Sequence, residues 1–101
     1  MPFVKLANLS EVPPGKMKEV ECGPIAIALC NNGGIIAAIE GTCPHAGGPL
    51  ASGALHDGVV VCPWHSWGFD TRSGVSDFSP AISIPVFAVE VRGDEIFVDI
   101  R

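Results

Sequence analysis

Basic residues are scarce in this chain. Lys and Arg number 6 against 11 Asp and Glu, a formal charge of -5. Phosphate backbones are gripped by Lys and Arg, so such a composition excludes a nucleic-acid binder and suits docking on a basic protein surface. Long apolar runs are missing too. The longest, Pro24–Cys30, is about seven residues, against the roughly 18–20 that a membrane-crossing helix needs. From Met1 to Lys5 no charged segment leads into an apolar one, so no secretory signal and no membrane association are expected. Low-complexity tracts, repeats and linkers are absent. Charged residues make up only 17%, but hydrophobic residues make up 48%, which argues against disorder. The expectation is one small domain over residues 1–101, with no room for a second domain carrying its own nucleotide site.

Turn formers are plentiful: Gly 12 and Pro 9. Between them lie short runs rich in Val and Ile, recurring every 8–12 residues or so, the rhythm of an all-β sandwich or barrel. Strands are expected near Val4–Leu6, Lys16–Glu21, Ile25–Leu29, Ile35–Glu40, Val59–Val61, Trp67–Asp70, Ile84–Val91 and Glu95–Ile100. Asn31-Asn32-Gly33-Gly34 and Arg92-Gly93-Asp94 read as hairpin turns, because Asn and Gly tolerate positive φ. Asp57-Gly58 and Ser73-Gly74 mark two more. One helical turn is expected over Asn8–Val12, capped by Ser10 and stopped by Pro13-Pro14.

Two stretches break the rhythm. Residues 41–52 and 62–70 are loops by composition, and each carries a Cys-Pro pair with a His shortly after it. The pattern is Cys43-x-His45, sixteen intervening residues, then Cys62-x-x-His65. Pro44 and Pro63 stiffen the loops and remove a backbone donor beside each Cys. Gly47, Gly48 and Gly68 let backbone approach a bulky inorganic group. The Ala54–Val61 segment has room for a hairpin that returns both loops to one end of the domain. Three explanations compete. The first is unrelated core Cys and loop His residues. The second is a structural zinc site, although zinc fingers usually pair Cys with Cys and His with His, and here each loop is mixed. The third is a [2Fe–2S] centre with two Cys on one iron and two His on the other.

These loops resemble the two cluster-binding loops of the Rieske family. The likeness extends to Gly47-Gly48-Pro49-Leu50 and to Cys62-Pro63-Trp64-His65-Ser66-Trp67-Gly68-Phe69-Asp70. The resemblance implies a Rieske-type antiparallel β sandwich or barrel with a two-loop subdomain at one end, and one [2Fe–2S] cluster per chain. It implies that Cys43 and Cys62 hold the inner iron and that His45 and His65 hold the outer one. Phe78-Ser79-Pro80 falls where the family has a third, Pro-containing loop over the cluster. Ser66 departs from the pattern, which usually has Gly there. Rieske proteins of cytochrome bc complexes carry an extra, disulfide-bonded Cys in each loop; here those positions are Gly48 and Trp64. Cys22 and Cys30, far from the motif, are expected as small buried hydrophobes without a disulfide. His56 is expected at an exposed turn. Trp64 and Trp67 are expected as cluster cover or docking surface, with plain core packing the alternative for Trp67.

The ligand set has a consequence for charge. Two ferric ions, two sulfides and two thiolates sum to a neutral site if both His are neutral, and reduction makes it a monoanion. A four-thiolate cluster runs from dianion to trianion, so this site accepts an electron more readily. The bc proteins place hydroxyls where this chain has Trp67 and Phe69, so its potential is expected near the low end of the Rieske range of roughly -150 to +300 mV. The resemblance implies a cytoplasmic one-electron carrier and not an enzyme. It is similar to the ferredoxins that link a flavin-containing reductase to a terminal oxygenase, docking transiently through the cluster tip. The other reading is a small subunit held permanently by a nitrite reductase large subunit.

Overall fold

The computed structural model describes residues 3–43, 47–64, 67–79 and 81–100. Among them lie ten strands, in chain order β1 (Phe3–Asn8), β2 (Met17–Cys22), β3 (Ile25–Asn32), β4 (Ile35–Glu40), β5 (Ala54–His56), β6 (Val59–Val61), β7 (Gly68–Asp70), β8 (Val86–Phe87), β9 (Val89–Arg92) and β10 (Glu95–Asp99). They form three antiparallel sheets ordered β1-β10-β9, β2-β3-β4-β8 and β5-β6-β7. The expected all-β architecture is borne out. Among the described residues, no helix is long and apolar enough to cross a membrane.

The four-stranded sheet lies in the middle, and both its faces are covered. β3 is therefore apolar almost throughout instead of alternating. Ile27 and Leu29 face one way, into a core with Ile36, Ala38, Ile96 and Val98. Ala28 and Cys30 face the other way, into a core with Ile39, Leu50, Val60, Phe69 and the two motif cysteines. The β1-β10-β9 sheet thus closes one face and the β5-β6-β7 subdomain closes the other. Cys22 packs towards the first core and Cys30 lies within the second, so opposite faces of one sheet separate them. Both are free thiols.

Several boundaries differ from expectation for local reasons. Asn31 belongs to β3, paired with Ile36, and the turn proper is Gly33-Gly34 at φ of 65° and 107°. The buried Asn31 amide secures that turn: its Nδ2 donates to the Val12 carbonyl and its Oδ1 accepts from the Gly34 N–H, both at 2.7 Å. The helical turn is a short 3-10 turn, Leu9–Glu11, capped at Asn8 and not at Ser10. Glu11 Oε2 reaches back to the Asn8 N–H at 3.0 Å. The stretch Ile84–Val91 is not one strand. It leaves the central sheet after β8 and joins the terminal sheet as β9, with Ala88 between them accepting a bond from the Asp99 N–H at 2.9 Å. Trp67 lies just before β7, because its carbonyl closes the preceding loop.

Candidate metal centre

The first motif loop leaves β4 at Gly41 and returns to it. Gly41 N–H donates to the Ala26 carbonyl at 2.7 Å, and the Gly41 carbonyl accepts from Leu50 N–H at 2.8 Å. A Cβ on Gly41 would sit 3.2 Å from that Ala26 oxygen, tighter than ordinary contact. Inside this neck, both backbone groups of Cys43 are used: its N–H donates to Gly48 at 2.9 Å and its carbonyl accepts from Gly47 at 2.8 Å. Gly47 takes φ of 75°, which a side chain would strain. The result fixes the Cys43 side chain, which is buried to 1% exposure.

The second loop begins where β6 ends. Cys62 N–H donates to the Trp67 carbonyl at 2.7 Å, closing a tight turn, and Cys62 is also buried to 1% exposure. The Trp64 N–H approaches Cys62 Sγ at 3.4 Å, a backbone donor aimed at sulfur. The third loop folds back on this turn. Trp67 and Phe78 stack with ring centroids 4.4 Å apart and planes 11° apart. Gly68 N–H donates to Asp77 Oδ1 at 3.0 Å, and the Gly68 carbonyl accepts from Asp77 N–H at 2.9 Å.

The two loops meet. A Cβ on Gly48 would lie 2.9 Å from Trp64 Cδ2, so the indole lies directly on the glycine backbone. These are the two positions that carry the disulfide in the bc proteins, and here a glycine–indole contact joins the loops instead. The Cys43 and Cys62 thiols come together in the same buried core. The Cys62 thiol is pushed up, first by burial and then by the hydrogen bond and like charge of Cys43, with the Trp64 N–H pulling the other way. Both cysteines are free. Two free thiols brought together in a buried core, with Cys62 pushed up, have little use as core packing. They fit two thiolate ligands sharing one cation, which would cancel the charge that burial penalises.

Each motif residue can be placed against this geometry. Cys43 and Cys62 are brought together; His45 and His65 lie outside the described residues, as do Ser66 and Pro80. His56 is exposed at the end of β5. Cys30 is in the core but apart from the pair, its thiol pushed up to about 12 by burial alone. Trp64 remains 49% exposed and Phe78 65%. Phe69 is wholly buried beneath the two cysteines' loops. Asp77 escaped the sequence reading. Nothing in its spacing marks it, since its contact with Gly68 arises only when the third loop returns.

Comparison with known proteins agrees with this geometry. The Rieske [2Fe-2S] domain model matches residues 2–88. The ferredoxin component of biphenyl 2,3-dioxygenase from Rhodococcus jostii is 37% identical over 102 residues, covering 100% of this chain and 95% of that protein. A chain from the complex of reduced oxygenase and oxidized ferredoxin in carbazole 1,9a-dioxygenase superposes with a TM-score of 0.89 at 31% identity, covering 97% of this chain and 93% of that one. A protein assigned as an NADH-dependent nitrite reductase small subunit in Mycobacterium tuberculosis superposes at 0.86 with 21% identity, covering 95% and 92%. That last likeness speaks for the fold alone. With matches running end to end at this identity, the chain belongs to the Rieske [2Fe-2S] domain family and carries one such cluster.

Proposed function

We propose that the chain is the one-electron carrier of an oxygenase system, taking electrons from a flavin-containing reductase and delivering them to a terminal oxygenase. The observation that carries this reading is the buried Cys43–Cys62 thiol pair, in a chain that aligns over its whole length with a dioxygenase ferredoxin component. Cys43 and Cys62 would hold one iron, and His45 and His65 the other. When bound, the cluster supplies a reversible one-electron couple.

The rest is the work of the chain. Backbone hydrogen bonds in both loops hold the two cysteines in place, which limits reorganisation on electron transfer. The Trp64 N–H on Cys62 Sγ stabilises added negative charge there. Trp64 and Phe78 give the loop end an apolar, aromatic surface. From Gly41 to Phe69 the sequence contains a single charged residue, Asp57, whereas the whole chain bears -5. A nearly uncharged contact patch on an acidic body suits a brief complex: the body steers the encounter with a basic partner, and the small patch releases it. The four free cysteines support a reducing, cytoplasmic setting.

The test is twofold. The dithionite-reduced protein should give the EPR spectrum of a mixed Cys/His [2Fe–2S] centre. Added to a purified reductase and terminal oxygenase, the chain should make product formation depend on its own concentration, with rates that fall as salt rises. Zinc without iron in anaerobically purified protein would sink the assignment. A stable complex with a large subunit on sizing would replace the carrier with a permanent subunit.

A further inference from the structure

The third loop does more than cover the second. Asp77 meets Gly68 through two bonds, one to its N–H through the side chain at 3.0 Å and one to its carbonyl through the backbone at 2.9 Å. The fit is close: a Cβ on Gly68 would stand 2.5 Å from Asp77 Oδ2 and 2.9 Å from Cγ, so the carboxylate would have to move aside. The carboxylate therefore lies flat against the backbone that follows the second motif loop. The next residue on each side repeats the contact, because Phe78 stacks on Trp67 at 4.4 Å. Trp67 is the residue whose carbonyl closes the turn on Cys62. One residue pair thus supplies an apolar clamp and its neighbour a charged one, both at the base of the loop that positions Cys62.

The charge matters because the loops have so little. The one charged residue between Gly41 and Phe69 is Asp57, which sits at the far end of β6 from Cys62. Asp77 comes from outside that segment and places an anion on it. An N–H to carboxylate bond is charge-assisted and stronger than its neutral equivalent. A fixed negative charge beside a centre that becomes more negative on reduction disfavours the reduced form.

We propose that Asp77 is a positioning residue of the metal centre that also lowers its potential, through the carboxylate seated on Gly68. The proposal rests on the reading of Cys43 and Cys62 as cluster ligands. Its structural part is the clamp: with the carboxylate gone, the third loop loses its hold on the second. Its electrostatic part is separable, because an amide oxygen accepts the same N–H without the charge.

The experiment compares holoprotein with Asp77→Asn, Asp77→Ala and, as a distant control, Asp57→Asn. Asp77→Asn should keep the cluster spectrum and most of the thermal midpoint while shifting the redox equilibrium threefold to tenfold towards the reduced form, about 28–59 mV upward for a one-electron couple. High salt should shrink that difference, since Asp77 is exposed and its charge is screened. Asp77→Ala should show the same upward shift and a lower thermal midpoint as well. Asp57→Asn should leave the potential where it was. An Asp77→Asn protein with an intact spectrum and an unmoved potential overturns the proposal and leaves the ligand assignment standing. If Asp77→Asn fails to hold its cluster, Asp77→Ser, whose hydroxyl also accepts the N–H, reads the same shift. Absence of a Rieske-type spectrum from the wild-type protein overturns both readings together.

Discussion

On one face of the central sheet, Ile27 and Leu29 meet a terminal sheet whose strands β1, β9 and β10 run to six, four and five residues. On the other face, Ala28 and Cys30 meet a subdomain whose strands β5, β6 and β7 have three residues each. The first region satisfies its backbone by ladder pairing and its core by branched aliphatics. The second satisfies its backbone largely in loops, through bonds such as Cys43 to Gly48 and Cys62 to Trp67. It fits those loops together at glycines, with Trp64 against Gly48 and Asp77 against Gly68. Regular pairing makes the terminal side self-sufficient. The site side is built to hold two thiols in place and draws its remaining order from what they bind.

The sharpest way to break that comparison is to remove a thiol. Cys62→Ser should abolish the [2Fe–2S] spectrum, as should Cys43→Ser, while the terminal sheet stays folded. Hydrogen exchange reads both halves at once. The amides of Cys62 and Gly68 should lose protection, and those of β10 should keep theirs. Equal loss of protection on both faces would show that the two regions do not behave separately.

The opposite cut falls in the terminal core. Ile96 is wholly buried there, so Ile96→Ala should cost about 2–5 kcal/mol through lost burial and a cavity. Urea unfolding should show the drop while the EPR spectrum of the folded fraction stays unchanged. A changed spectrum would mean that the terminal core reaches through the sheet to the site.

This asymmetry also explains what could be read in the sequence. The terminal and central sheets are legible as strands, because β10 and the hairpin β3–β4 carry apolar runs bounded by glycine turns. The site side was legible as chemistry, because Cys-x-His and Cys-x-x-His are tied to a metal. Its architecture was not. β5 is too short to give a period and was foreseen only as room for a hairpin. The break between β8 and β9 is invisible in the Val-rich stretch from Ile84 to Val91, since a strand that changes sheets keeps its apolar character. Asp77 is the plainest case. Its partner is a backbone N–H, which no residue pattern announces.

A smaller effect concerns potential. Phe69 is buried in the core shared by both cysteines. Phe69→Tyr adds one oxygen with little change of shape. A charge-assisted bond worth about 1.5–3 kcal/mol to cluster sulfur would raise the one-electron potential by roughly 60–130 mV, at 59 mV per tenfold. A variant that keeps its cluster without that rise would show that Phe69 does not face the sulfurs. The accompanying account of a low wild-type potential would then fail.

The loop junction offers a finer cut. Gly48→Ala drives a methyl into the Trp64 indole and should cost about 1–3 kcal/mol by overpacking. Trp64→Ala removes the obstacle, so the double variant should be less unstable than the sum of the two single ones, by about 0.5 kcal/mol or more. Thermal or urea unfolding of the four proteins measures the cycle. Strict additivity would mean that the indole does not rest on Gly48.

The last effect lies with the third thiol of the site-side core and appears only at alkaline pH. Burial pushes the Cys30 thiol up from 9.0 to about 12, because a thiolate there would be stripped of water. In the unfolded chain the same thiol ionises near the ordinary value. Between these two points the folded state holds a proton that the unfolded state has released. Stability is therefore fully present below about pH 9 and falls as the pH climbs towards 12. By about pH 10 the loss from this group amounts to about 1.4 kcal/mol. Cys30→Ala removes the titration. It leaves a cost from lost packing, but one that does not vary with pH. Urea midpoints taken at about pH 8 and about pH 10 separate the two contributions: the wild-type protein should lose more stability across the interval than the variant does. If both lose the same amount, the alkaline sensitivity comes from other groups, and Cys30 is not the isolated core thiol that its position in β3 implies.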